Sequence, residues 1–294
     1  MAKADIAALL ALGAALFIAI GDVIHQRSAH DVTDEPVGHA ELFIRLLRDR
    51  QWWLGSLVAA VGFALQAAAL GLGSVLLVQA LLVTSLLFAL PVSARAASRR
   101  VTRWEWVWAV VLAGSVAVIV TIGNPRAGQS RASFETWAAV VAVLGPALVL
   151  CVIGARIWSG SVSAVLLALV SGSLWGVFAV LTKGVVDQLD EGTWALLRTP
   201  ELYAWALVAI AGTAWQQSSF RAGSMTASLP AMTVAEPVVA SVLGIVVLGE
   251  TLNTGDAGWL LLGLAIVAMV TATIALARGE ALTSDSTADA KAVA

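Results

Sequence analysis

Apolar residues run along the chain in blocks of about twenty, the length a helix needs to cross roughly 30 Å of hydrocarbon. Nine blocks can be drawn, near residues 4–25, 52–72, 74–97, 104–122, 134–155, 160–184, 202–219, 225–248 and 256–277. They are too long and too numerous to be core strands. The pattern therefore predicts an all-α polytopic membrane protein with about nine transmembrane helices. Some connections are tight turns, such as "GLGS" (71–74) and "RAGS" (221–224). The longest, 26–51, is polar and charged. Within it, "HAELFIRLLRDR" (39–50) sets Leu42, Phe43, Leu46 and Leu47 on one helical face, the pattern of a short helix lying on a membrane surface. The tail 279–294, "GEALTSDSTADAKAVA", is small, polar and unpatterned, and is expected to be disordered.

Composition agrees: 60% of the 294 residues are hydrophobic and only 12% charged, against about 25% charged in soluble domains. The net charge of −2 says less than where the cations lie. An odd span count puts the termini on opposite sides. Arg27, Arg45, Arg48, Arg50, Arg95, Arg99, Arg100, Arg103, Arg156, Arg221, Arg278 and Lys291 share the C-terminal side, while Lys3, Arg126, Arg131, Lys183 and Arg198 share the other. Positive charge stays inside. This places the C-terminus in the cytoplasm and the N-terminus outside, across a bacterial-type inner membrane. Trp52, Trp53, Trp104, Trp106, Trp108, Trp158 and Trp194 fall near span ends, as interfacial belt residues do. Trp175 and Trp215 lie deeper, for packing or for lining a cavity. The first block reads as an uncleaved span rather than a leader, with no clean cleavage site after it. The single cysteine, Cys151, allows no disulfide framework or cysteine metal cluster.

Residues 52–74 can be laid over 202–224 without a gap, so that Gly62 falls on Gly212, Gln66 on Gln216 and Gly73-Ser74 on Gly223-Ser224. Four spans in 1–123 thus read as a weak copy of the four in 160–278. The segment 124–159 holds a connecting loop and an unpaired helix. One unpaired helix inverts the second copy in the membrane, giving inverted four-helix repeats about a central helix. Many secondary transporters are built this way.

On these residues the chain resembles the drug/metabolite transporter superfamily, of the EamA-like type. The resemblance is carried by Gly62 with Gln66, by "GSVLLVQALLVTSLLFALPVSA" (73–94) and Arg99-Arg100, by Lys183 in "VFAVLTKG", by Gln216, and by "AGSMTASLPAMTVAEPVVASVLGIVVLGETL" (222–252). It covers nearly the whole chain and identifies the fold better than the substrate. Most such proteins have ten spans as five plus five, and set against them the nine blocks here would read as four plus five, without the first. The nine-span layout is also similar to the NIPA-like branch, which the resemblance associates with magnesium transport. Against that, the second span reads "GFALQAAAL" and holds no carboxylate.

Glu236 lies at mid-depth of the eighth span, where a charged carboxylate is expensive. Pro237 follows it directly and Pro230 precedes it, and each removes a backbone donor from the helix. These prolines are candidate hinges. A carboxylate shielded from water holds a proton more readily, so Glu236 is the candidate coupling residue; the competing reading is a protonated glutamate bonded to a neighbouring helix. Gln66 and Gln216 are candidate pathway residues. Gln79 and Gln217 are alike in kind, with interhelical bonding as the plain alternative. Asp22 near the inner end of span one and Lys183 near the outer end of span six are further candidates. Either could instead reach the headgroups, and Lys183 could serve as counter-ion to a carboxylate or to an anionic substrate. Glu250, at the end of span eight, is expected at the exposed interface. Gly172-x-x-x-Gly176 predicts close helix packing. The histidines and acids of 25–41 fit no standard metal spacing.

No HExxH, Gly-x-Ser-x-Gly or Walker A motif occurs, so the expectation is a transporter and not an enzyme, without cofactor, metal site or nucleic-acid partner. Its partners would be a small-molecule or ion substrate and the lipid bilayer; a homodimer is compatible with this reading. A non-transporting scaffold or a flippase of lipid-linked groups is the alternative of another class.

Overall fold

A computed structural model describes residues 3–32, 50–96, 100–189, 191–222, 225–254 and 258–292. The expected surface helix at 39–50 and the Gly223-Ser224 turn lie almost wholly outside them. In chain order the elements are α1 (Lys3–Val32), α2 (Arg50–Leu72), α3 (Val75–Leu82), α4 (Ser85–Ala96), α5 (Arg103–Thr121), β1 (Pro125–Arg126), α6 (Phe134–Ile157), α7 (Ser161–Leu189), α8 (Thr193–Arg198), α9 (Pro200–Ala222), α10 (Met225–Leu248), β2 (Thr251–Leu252) and α11 (Gly258–Ala292). Among the described residues the protein is all-α apart from the two-residue strands, which pair antiparallel.

Among the described residues, eight helices are long and apolar enough to cross a membrane, with α3 and α4 together counting as one. The expected ninth, α9, has 23 residues but falls short in apolarity, because Gln216, Gln217, Ser218 and Ser219 dilute its last turns. The tail residues 279–292, unpatterned in sequence, continue α11.

α7 is the centre of the molecule: 72% of its apolar stretch is buried, against 6% for α6. It packs along α9 and α10, while α1 packs along α2, α3 meets α10, and α5 meets α11. α6 leans on α7 and leaves Val141, Val143, Val149 and Leu150 exposed, as suits a helix in lipid. Trp53, Trp104, Trp106, Trp158 and Trp194 are exposed at helix ends, where belt residues belong.

Small residues set the close approaches. A Cβ on Gly176 would lie 2.9 Å from both the Glu236 carbonyl oxygen and the Ala240 nitrogen, and one on Gly172 would lie 2.8 Å from the Met232 carbonyl oxygen. The glycine pair on α7 therefore lets the backbone of α10 lie directly against it, at the level of Glu236. Gly176→Val is expected to cost about 1–3 kcal/mol through overpacking against rigid backbone, read as a lowered unfolding temperature. An unchanged temperature would contradict this packing.

Trp175 belongs to an aromatic cluster. It meets Phe178 edge to face at 5.1 Å, and Phe178 stacks on Trp205 at 5.1 Å with Phe63 behind at 5.5 Å. The Trp205 indole donates to Thr182 Oγ1 at 2.9 Å. Of its two sequence readings, packing is the one realised.

The α2–α3 turn, Lys183 and the 122–133 and 249–254 loops gather at one end of the bundle, which also holds the start of α1, Ala7 lying against Gly73. Those loops close it. The Gln129 N–H donates to the Leu248 carbonyl at 2.7 Å and the Asn253 N–H to the Gly123 carbonyl at 2.9 Å. Asp22, Phe220 and the start of α2 lie toward the opposite end.

Candidate functional site

Span three is one apolar block in sequence, yet the helix breaks at Val83–Thr84. Around the break, Thr84 N–H donates to Leu81 at 3.0 Å, Leu86 N–H to Val83 at 3.3 Å and Leu87 N–H to Thr84 at 2.9 Å. These i→i−3 bonds replace the α-helical ones, so the Ala80 and Leu82 carbonyls lose the partners a regular helix would supply. Irregular backbone at membrane depth is tolerated where it lines a cavity or is buried in protein. Here it lines a cavity.

That cavity holds about 360 Å³ and lies between α1, α2, the α3–α4 break, α9 and α10. Of the residues singled out from sequence, Asp22, Gln66, Gln79, Gln216, Glu236 and Pro237 line it. Glu236 is half-buried and Gln66 buried, while Asp22 is exposed and close enough to Glu236 for the two carboxylates to interact electrostatically. Gln79 and Thr233 complete the polar wall; Leu86, Phe220 and Met232 are among its apolar members. α10 runs unbroken through both prolines. Pro237 cannot donate to the Thr233 carbonyl, so a second lining residue has lost its helical bond. Pro230 is buried in α10 and does not line the cavity. The two backbone irregularities that meet the cavity are thus the α3–α4 break and Pro237.

Lys183 is not in the cavity. It is 4% exposed, at the closed end of the bundle, and its ammonium lies 3.0 Å from Glu250 Oε1. It also donates to the Gly73 carbonyl at 2.8 Å. Glu250, expected at the exposed interface, is 1% exposed. Gly249, at φ +65°, turns the chain back after α10, and the Glu250 N–H donates to the Gly244 carbonyl at 3.0 Å. The carboxylate then accepts from the Val75 N–H at 2.7 Å and the Leu76 N–H at 3.0 Å. Those are the first two orphan donors of α3, and the helix dipole favours a negative charge there. The third, Leu77 N–H, goes to the Ser74 hydroxyl at 3.1 Å. Ser74→Ala should therefore cost about 1 kcal/mol, the usual worth of an N-cap, measured by chemical denaturation in detergent. A variant as stable as the parent would show the cap to be dispensable.

Sequence reasoning assigned Glu250 to the surface because it ends a span. The available signal was Lys183, a cation embedded in apolar sequence that needs a carboxylate at the same end. Among the described residues no group of three His, Cys, Asp or Glu is placed to hold a metal ion. Arg131 forms a separate pair with Glu201 at 2.7 Å.

No family model matches the chain, and no solved structure matches it significantly. It is 38% identical over 286 residues to the uncharacterized protein Cgl0250/cg0304 of Corynebacterium glutamicum, across 96% of this chain and 98% of that one.

Proposed function

The chain belongs to one family with the Corynebacterium glutamicum protein, and from the cavity we propose that it is a secondary transporter of the drug/metabolite type. It moves a small polar or cationic solute by alternating access, with Glu236 exchanging the solute for a proton. The observation that carries this is the cavity, where residues from both halves of the sequence bring two carboxylates and three glutamines together.

The inverted repeat gives the proposal its mechanics. Gln66 and Gln216, equivalent by the repeat, both line the cavity. The offset that superposes them lays the Val83–Thr84 break on Thr233–Val234, where Pro237 removes a helical bond. Both copies are therefore loosened at one depth, beside the solute. Equivalent helices also meet in pairs, α3 with α10 and α5 with α11, as two related bundles would around a shared site.

By the distribution of Lys and Arg, the end closed by Lys183 and Glu250 faces outward, and the cavity is reached from the cytoplasmic side past Asp22. The ion pair joins the halves, since Gly73, Val75 and Leu76 come from the first, and Lys183 and Glu250 from the second. Opening outward requires these contacts to separate.

Two carboxylates in one cavity also favour a second reading, a hydrated Mg²⁺ ion, which is typically held by one or two carboxylates and keeps several waters. Purified protein in liposomes under an imposed pH gradient, offered a solute panel including Mg²⁺, tests both. Gradient-driven flux of a polar or cationic organic solute supports the proposal, flux of Mg²⁺ alone supports the second reading, and no flux of any solute defeats transport altogether.

A further inference from the structure

The cavity's chemistry is more specific than its volume. Among the described residues its lining includes the Glu236 carboxylate but neither Lys nor Arg, and Lys183 is committed elsewhere to Glu250. Leu82 and Thr233, both lining residues, have also lost the helical bonds to their carbonyls. A positive charge is therefore the complement. Yet Leu86, Phe220, Leu229 and Met232 supply apolar wall that a hydrated ion would leave unmatched. At about 360 Å³ the space lies within the range of small-molecule sites, roughly 300–1,000 Å³.

Gln79 supplies the deciding feature. It is 1% exposed, it lines the cavity, and its side-chain Nε2 has no hydrogen-bond partner. A buried donor left unpaired is costly, so such groups call for an explanation. The last torsion of a glutamine is soft, and a turn of the amide presents this donor to the cavity. Its partner would have to be an acceptor on the ligand. Water bound to a metal ion turns its hydrogens outward and offers a donor little, whereas a hydroxyl, ether or carbonyl oxygen offers a lone pair.

We propose that the ligand of this cavity is a small organic ammonium ion with a short apolar body and an oxygen acceptor, the ammonium facing Glu236 and the oxygen facing Gln79. The inference rests on the cavity being the solute site of the proposed transporter, and it narrows the substrate to one chemical class against the Mg²⁺ alternative.

The test is titration calorimetry of the purified full chain with three matched probes and Mg²⁺. Propanolamine carries ammonium and oxygen, n-butylamine carries the ammonium alone, and propanediol carries oxygen alone. Propanolamine should bind about tenfold more tightly than n-butylamine, the worth of one good hydrogen bond to a buried donor, and propanediol should not bind measurably. Gln79→Leu and Gln79→Met should erase the difference between the amines while leaving n-butylamine affinity unchanged, which also shows that the variants are folded. Equal binding of both amines by the parent, a preference that survives in both Gln79 variants, or binding of Mg²⁺ without either amine would overturn the inference. Liposome uptake separates it from the transport reading. The predicted binding pattern without flux removes transport and keeps the ligand class; flux of other solutes without that pattern does the reverse.

Discussion

Glu236→Gln is expected to lower gradient-driven solute uptake by about a hundredfold or more, since removing one charged partner from a desolvated pair costs roughly 2–5 kcal/mol. The substitution keeps the shape of the side chain and its capacity for hydrogen bonds, and removes the charge and the exchangeable proton. Among the described residues Glu236 forms no ion pair, and it stands on the cavity wall. Folding should therefore hardly change, and the unfolding temperature should stay within a few degrees of the parent. Uptake in proteoliposomes and thermal unfolding are the two measurements. Full uptake by the variant would remove Glu236 from the mechanism. A collapse of stability together with uptake would instead make it structural glue, the alternative that sequence alone leaves open.

The second large effect belongs to Lys183. Lys183→Met should destabilise the protein by about 3–5 kcal/mol, the usual cost of stranding one member of a buried ion pair. The stranded group is Glu250, held at 1% exposure with only the Val75 and Leu76 amides left to face it. Combining Lys183→Met with Glu250→Gln should recover part of that loss, because a neutral amide oxygen still accepts from α3 while no uncompensated charge remains. The two effects should thus be strongly non-additive in a double-mutant cycle. Additive losses would mean that the 3.0 Å pair carries no coupling energy.

Much of the architecture was legible because the bilayer constrains sequence so strongly. Runs of about twenty apolar residues mark spanning helices, and the observed helices coincide with the blocks drawn from sequence. α9 departs from the apolarity of the others because its last turns carry glutamines, one of which, Gln216, turns toward the cavity. The candidate site was legible for the same reason. A carboxylate or amide inside an apolar block is conspicuous, so Asp22, Gln66, Gln216 and Glu236 could be named before their positions were known. The Gly172/Gly176 spacing was readable as close packing, though not which helix it would meet.

Three features were hidden. The break at Val83–Thr84 carries no proline or glycine to announce it; at the break the Thr84 hydroxyl donates to the Leu81 carbonyl, a local bond that competes with the helix. Glu250 looked exposed because it ends a span, and only the backward turn at Gly249 and the orphan donors of α3 show why it is buried. Gln79 was one glutamine among several until its position against the cavity left its amide nitrogen unpaired.

By itself, then, the sequence determined that the chain is built of membrane-length helices and which polar residues they must shelter, because the cost of polar groups in hydrocarbon acts on each segment separately. Only the tertiary structure decided which of those groups meet. It sent Lys183 to Glu250 at the closed end and gathered Asp22, Gln66, Gln79, Gln216 and Glu236 around one cavity. Pairing energies depend on distances of a few ångströms between residues far apart in the chain, and no segment read alone carries those distances.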